Sequence, residues 1–316
     1  MYDTSRAHAQ QNNMDVHNNS IDKDDFTVVI PVLNEEEGIG KVIYGVKEEG
    51  FENILVVDGY STDKTVSIAN TNSVSVIFQH GIGKTGAIRT AIDHVKTPYF
   101  VVMDGDCTYD PKDIKHFFPH ILKNDEVIGV RTSGRTNIPL LNRFGNWLIN
   151  VLFNLFFGSN LIDVCSGMYA LRMDFMRTLN LETKGFDVEV EIAAKVASKG
   201  RITQVPIRYN SRVGRQKLRP FRHGIKIMST VWNLAKSYNP AFLFSIVTGF
   251  SMLAAIISFF WVAIEWFHGI WQSELALFGV LLIIISLISL IMSVLSTVLK
   301  RMEQRIIKEL KTSQAY

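Results

Sequence analysis

The sequence predicts an α/β protein: a mostly parallel sheet flanked by helices, then amphipathic interface helices and two C-terminal transmembrane helices. Three observations predict it. Short apolar runs alternate with helical patterns across residues 25–210. Several of those runs end in acidic or amide residues. Two later segments, 240–264 and 275–299, contain no charged residue. Alternation of short apolar strands with helices points to parallel pairing and right-handed crossovers.

The elements follow in order. Residues 26–32 read as a buried strand and 35–49 as a helix. A second strand is expected at 53–57, a helix at 62–70 and a third strand at 74–78. Residues 84–94 are helical in pattern, and 99–103 form a fourth strand. Three strands end in Asn34-Glu35, Asp58-Gly59 and Asp104-Gly105-Asp106. In a parallel sheet these ends share one edge, where open α/β folds bind ligands, so the groups should converge.

Asp104-Gly105-Asp106 carries the most chemistry. Two carboxylates at a strand end suit a hard divalent cation, Mg²⁺ or Mn²⁺, which in turn holds phosphate oxygens. The plain alternative is an acidic turn with Asp106 capping a helix.

Composition narrows the class. The chain has 316 residues and a formal net charge of +3, so bulk charge does not suggest nucleic-acid binding. Cys107 and Cys165 form no CxxC or Cys/His cluster, which disfavours a disulfide framework or zinc site and fits a reducing compartment. No N-terminal signal peptide is evident. Residues 1–24 are polar and read as a disordered tail.

The charge-free segments each run to about 25 residues, and roughly 20 cross the hydrocarbon core. Residues 265–274 between them carry no Lys or Arg, whereas Arg215, Lys217, Arg219, Arg222 and Lys226 precede them and Lys300, Arg301, Arg305, Lys308 and Lys311 follow. The positive-inside rule puts both termini in the cytoplasm, with Trp261, Trp266 and Trp271 as interfacial anchors. Two spans without an intramembrane charge make a poor ion path. Leu140, Leu141, Phe144, Trp147, Leu148, Val151, Leu152, Leu155 and Phe156 form a broad stripe over 139–158, and 222–238 is basic at its start. Such helices lie in the headgroup layer, although a core helix is the alternative for the first.

Two motifs mislead. Gly81-Ile82-Gly83-Lys84-Thr85-Gly86 matches GxGxxG, but it follows the third strand, where a dinucleotide fingerprint would open the fold. Gly83-Lys84-Thr85 mimics a P-loop, yet Phe78 stands where that motif needs glycine. What survives is a glycine-rich turn before a helix, with Lys84 and Arg89 near a phosphate-bearing ligand.

Together the motifs resemble family 2 glycosyltransferases with the GT-A fold. The resemblance rests on Val29-Ile30-Pro31-Val32-Leu33-Asn34-Glu35-Glu36, on Val56-Val57-Asp58-Gly59-Tyr60-Ser61-Thr62-Asp63, on Gly83-Lys84-Thr85-Gly86-Ala87-Ile88-Arg89 and on Met103-Asp104-Gly105-Asp106. Asp163-Val164-Cys165-Ser166-Gly167-Met168, the run from Lys184-Gly185-Phe186 to Glu191, and the basic stretch from Val205 to Lys217 are similar to later blocks of the polyprenyl/dolichyl-phosphate sugar synthase branch. Two departures stand out. Asp58-Gly59-Tyr60 replaces the Asp-Asp-Gly of many relatives, and the QxxRW of processive synthases is absent.

The resemblance implies transfer of a sugar from a UDP- or GDP-linked donor to a polyprenyl or dolichyl phosphate, with inversion. It implies that Pro31, Asn34, Glu35, Asp58, Lys84, Arg89 and Asp104 bind the nucleotide-sugar, and that Asp104 and Asp106 hold Mg²⁺ or Mn²⁺. Arg131, Arg135, Arg143, Arg212, Arg215 and Lys217 are the expected clamps for the acceptor phosphate. Arg131, Asp163 and Glu191 join Asp104 and Asp106 as expected catalytic residues. The implied organisation is a tail at 1–24, a GT-A domain at 25–221, a juxtamembrane amphipathic helix at 222–239, a two-helix anchor at 240–299 and a cytoplasmic basic tail at 300–316. A homo-oligomer is left open by the sequence. Two readings compete: a non-catalytic nucleotide-sugar-binding protein, which would not need the intact carboxylate pair, and a nucleotidyltransferase, which gives the membrane spans no role.

Overall fold

The computed structural model describes residues 21–183, 185, 187–214 and 220–313; the side chains of 220–223, 300, 301 and 303–313 stand outside the description. Residues 1–20 of the tail expected at 1–24, and with them Arg215 and Lys217, lie outside the described residues, while residues 21–24 are ordered. Residues 23–25 form a 3-10 turn capped by Asp22. By packing, the chain forms two units: 1–140, 165–189 and 200–218 in the first, and 141–164, 190–199 and 219–316 in the second.

The first unit holds one seven-stranded sheet, ordered β3-β2-β1-β4-β6-β5-β7. Its strands are β1 (Phe26–Val32), β2 (Ile54–Asp58), β3 (Ser75–Phe78), β4 (Tyr99–Val102), β5 (Glu126–Ser133), β6 (Tyr169–Arg172) and β7 (Ile202–Arg208). The pairs β1–β2, β1–β4, β2–β3 and β5–β7 are parallel, while β6 runs antiparallel to both β4 and β5. The doubly wound parallel reading therefore holds for the first four strands, and β6 makes the sheet mixed. β1, β2 and β4 are almost wholly buried apolar runs, as strands covered on both faces must be. β3 and β7 are the edges, and Pro206 is tolerated in β7 because an edge strand has one side without a ladder.

Helices α1 (Ile39–Glu48), α2 (Thr65–Thr71) and α3 (Gly83–His94) form the crossovers. α1 buries Ile39, Val42, Ile43 and Val46 in the same core as Val28, Ile30 and Val32. Two helices begin later than their patterns suggest. The Glu35 and Glu36 amides donate to Thr65 Oγ1 and Asp63 Oδ2, and the Thr62 amide donates to Asn34 Oδ1, so 34–38 and 61–64 are spent cross-bracing two turns. α4 (Phe118–Ile121) and α6 (Met173–Met176) are single turns.

Glu126, in β5, is fully buried and its Oε2 has no hydrogen-bond partner among the described residues. Burial, and then the Glu189 carboxylate, hold its carboxyl well above the usual 4.5. The folded state thus binds a proton that the unfolded state releases. This stabilisation is fully present below the unfolded value and is lost as pH rises toward the folded one. Glu126→Gln is expected to flatten the pH dependence of the melting temperature and to raise it at pH 8. Parallel melting curves for both proteins across the pH range would contradict this.

The second unit is helical: α5 (Leu140–Phe157), most of α7 (Val188–Lys199), α8 (Pro220–Tyr238), α9 (Pro240–Phe267) and α10 (Ser273–Ser313). α5 is two-faced. It buries Ile149, Phe153 and Phe156, while Leu141, Phe144, Trp147, Val151 and Leu155 are exposed at helical spacing. Phe156 thus leaves the predicted exposed stripe and packs edge-on against Trp232 and Phe242. α9 and the 273–299 part of α10 are long and apolar enough to cross a membrane. Hydroxyls join them: Ser245 and Ser293 lie 2.8 Å apart, Ser286 donates to the Thr248 carbonyl at 3.1 Å, and Ser258 donates to the Leu275 carbonyl at 2.9 Å. Such bonds satisfy polar groups that lipid cannot.

Candidate active site

The turns after β1, β2 and β4 meet at one edge of the sheet. Asn34 (φ 52°), Tyr60 (φ 66°) and Cys107 (φ 64°) are three of the four non-glycine residues with left-handed backbone among the described residues, one in each turn. Strain of this kind persists where the surroundings hold it, and it gathers at functional sites.

Asp58 ends β2 fully buried, and both its oxygens accept from Ser61, at 2.8 Å from the amide and 2.5 Å from the hydroxyl. Asn34 ties the first turn to the second through Thr62 and Ser61. Pro31 is half-buried in β1 opposite Val57.

Asp106 is buried and does not cap a helix. Its Oδ1 accepts from the Thr108 hydroxyl at 2.5 Å and amide at 3.1 Å. Residues 209–213 run back beside it, with the Val213 amide on the Asp106 carbonyl and the Asn210 amide on the Thr108 carbonyl. That course brings Arg212 between two acids: Nη1 lies 2.5 Å from Asp106 Oδ2 and Nη2 2.6 Å from Glu35 Oε1. Burial and the neighbouring Asp104 charge raise the Asp106 pKa, against the pull of Thr108 and Arg212. Arg212, expected at the acceptor phosphate, here sits on these carboxylates.

Asp104 has a matching partner. Lys84, in the first turn of α3, lies 2.6 Å from Asp104 Oδ1 and 2.6 Å from Glu189 Oε1. Burial alone would lower the lysine pKa; the carboxylates of Asp104 and Glu189 outweigh it and hold it well above 10.5. Gly167 forms the wall. A Cβ there would stand 2.4 Å from Asp104 Oδ2 and 3.1 Å from Lys84 Nζ. The Gly167 amide donates to Tyr109 Oη at 2.7 Å. Tyr109 meets Tyr209 edge-on, and Arg131, almost fully buried, lies over the Tyr209 ring at 5.2 Å with Nη2 on the Cys165 carbonyl.

These residues fit a divalent cation. Four carboxylates (Glu35, Asp104, Asp106, Glu189) face two cations (Lys84, Arg212), a formal surplus of two negative charges. Asp104 and Asp106 lie close enough to repel. No group of three or more His, Cys, Asp or Glu side chains among the described residues is placed to hold a metal. Two carboxylates completed by substrate phosphate and water are the usual surroundings of Mg²⁺.

The remaining expected residues lie elsewhere. Arg89 is exposed, about 140° round α3 from Lys84, and Arg135 is exposed in a 3-10 turn. Arg143, Asp163 and Glu191 belong to the second unit: Arg143 exposed on α5, Asp163 buried, and Glu191 buried with Lys195 at 2.7 Å. Sequence reasoning missed Glu189, Gly167, Tyr109 and Thr108. Glu189 and Glu191 are about 200° apart on a helix, so only one can face a given site. The motif-bearing glutamate drew the choice, and only the fold shows which one meets Lys84.

Known proteins are similar to this chain in sequence and fold. A model of glycosyl transferase family 2 matches residues 27–179. The chain is similar to glycosyltransferase AglJ of Haloferax volcanii, 35% identical over 298 residues, spanning 89% of this chain and 98% of that protein. It is similar to a dolichyl-phosphate hexose transferase of the same organism, 32% identical over 213 residues, 66% of this chain and 92% of that one. A glucosyl-3-phosphoglycerate synthase from Mycobacterium tuberculosis, solved with Mn²⁺, uridine-diphosphate-glucose and phosphoglyceric acid, has a TM-score of 0.55 at 20% identity, covering 66% of this chain and 79% of its own; that likeness concerns the GT-A fold. The order of motifs, the mixed sheet and a relative spanning nearly the whole chain lead to one conclusion: this protein belongs to glycosyl transferase family 2 and is a glycosyltransferase.

Proposed function

We propose that the protein transfers a monosaccharide from a nucleotide-sugar to the phosphate of a polyprenol, making a lipid-phosphate sugar at a membrane surface. The observation that carries this is the acidic cluster at the sheet edge: Asp104 and Asp106, each shared with a buried or half-buried cation. The name of the dolichyl-phosphate hexose transferase supports the acceptor class. The two apolar helices support a membrane location, and the basic flanks support a cytoplasmic side for both termini and the sheet unit.

Asp104 and Asp106 would hold Mg²⁺ or Mn²⁺, which when bound supplies Lewis-acid neutralisation of the leaving diphosphate. Glu35, which shares Arg212 with Asp106, would accept from nucleoside hydroxyls. The acceptor needs no strong base, because a phosphomonoester is largely ionised near pH 7, its second pKa being about 6. It needs cations to bring one anion to another, and Arg131 and Arg212 are the described candidates, with Arg215 and Lys217 following in sequence. The phosphate oxygen forms the new bond to the sugar C1, the C1–diphosphate bond breaks, and the nucleoside diphosphate leaves. In-line attack inverts the anomeric centre.

The test is to incubate membranes carrying the protein with a panel of radiolabelled UDP- and GDP-sugars. One donor is expected to label a lipid that releases its sugar in mild acid. Labelling of no lipid by any donor, in membranes supplied with dolichyl and undecaprenyl phosphate, would refute the proposal.

A further inference from the structure

Lys84 is held by two carboxylates that the chain brings from far apart. Asp104 follows β4, and Glu189 stands in the first turn of α7. Each lies 2.6 Å from Nζ, and the Lys84 and Glu189 side chains are each only 9% exposed. A lysine head is a point charge on four flexible methylenes, with three rotatable donors. One partner leaves it free to swing about that partner. Two partners on different elements fix both its place and the direction of its remaining N–H. Asp104 is fixed in turn: Oδ1 is committed to Lys84, while Oδ2 faces the space that only a glycine at 167 leaves open.

We propose that Glu189 is a positioning residue for sugar transfer. It anchors the Lys84 ammonium against Asp104, so that the third N–H of Lys84 is aimed at the diphosphate of the nucleotide-sugar and Asp104 Oδ2 stays turned to the site. The inference rests on the reading that Asp104 belongs to the donor site. Glu189 touches no substrate in this account and acts through Lys84. Its neighbourhood explains why it needs an ion pair: Tyr169 and Glu126, buried near it, bring no positive charge, and Lys84 supplies one at 2.6 Å.

The experiment uses full-length protein in detergent, with UDP and GDP as probes in the presence of Mn²⁺, read by calorimetry, alongside transfer kinetics. Glu189→Gln keeps the length and an oxygen that accepts from Lys84, while Glu189→Asp keeps the charge but withdraws it by one methylene. Positioning predicts that the shortened Asp variant weakens nucleotide binding and raises the donor KM about tenfold or more, the loss of one charge-assisted hydrogen bond. It predicts a milder effect for Gln and an unchanged acceptor KM for both. In a Lys84→Met background, Glu189→Asp should add little, since its route is gone. A severe Gln with a benign Asp would show that charge alone matters and overturn the proposal. So would effects that add fully to Lys84→Met. A wild-type protein that binds neither nucleotide would instead strike the donor-site reading beneath it.

Discussion

Asp106→Asn is expected to lower kcat/KM for sugar transfer by about a thousandfold, the upper range for removing one preorganised electrostatic contact. Asp106 combines three properties that no other acid of the first unit shares among the described residues. It is buried, it is braced by Thr108, and it lies near enough to Asp104 for each charge to disfavour the other. A bound cation would relieve that repulsion, and so would an amide, but only the carboxylate pair would hold a cation whose positive charge faces the diphosphate. The asparagine oxygen can still accept from Thr108, so the turn survives. The melting temperature should hold or rise slightly, while the metal concentration for half-maximal activity climbs. Transfer assays at varied Mn²⁺ and a melting curve measure both. Full turnover with normal metal dependence would remove Asp106 from the site.

Gly167→Ala is expected to cost about a hundredfold in kcat/KM, the scale of an ångström's misplacement in a catalytic group. The added methyl would sit 2.4 Å from Asp104 Oδ2 and 3.1 Å from Lys84 Nζ, and both groups must move to admit it. Gly167 does not have a positive φ, so alanine meets no backbone penalty there. The effect should therefore appear as lost activity with a retained fold, unlike a core defect. Near-normal kinetics in a folded variant would mean that Asp104 Oδ2 points elsewhere in the working enzyme.

What the sequence disclosed follows from local rules. Runs such as Phe26–Val32 and Ile54–Asp58 read as strands because burial on both faces demands near-continuous apolar residues. The acids at their ends were legible because parallel strands share one edge. β6 was not legible: four residues that run antiparallel between β4 and β5 carry no signal of direction, which long-range pairing decides. Glu189 was hidden for a similar reason. A glutamate's partner is set by long-range packing, and Lys84 lies 105 residues earlier. Arg212 was picked as a phosphate clamp because a basic residue near an anionic substrate is the simplest reading. The backbone bonds from residues 210 and 213 to 108 and 106 bring it as well onto Asp106 and Glu35, a pairing that no local pattern discloses.

The stoichiometry of the released nucleotide distinguishes sugar transfer from the competing chemistry. Purified full-length protein, supplied with the donor that labels lipid, is assayed for released nucleotide with and without polyprenyl phosphate, and with and without EDTA. Nucleoside diphosphate is expected, formed mole for mole with sugar-lipid, dependent on the acceptor and abolished by EDTA. Release of pyrophosphate, or nucleoside diphosphate formed at the same rate in EDTA, would contradict it.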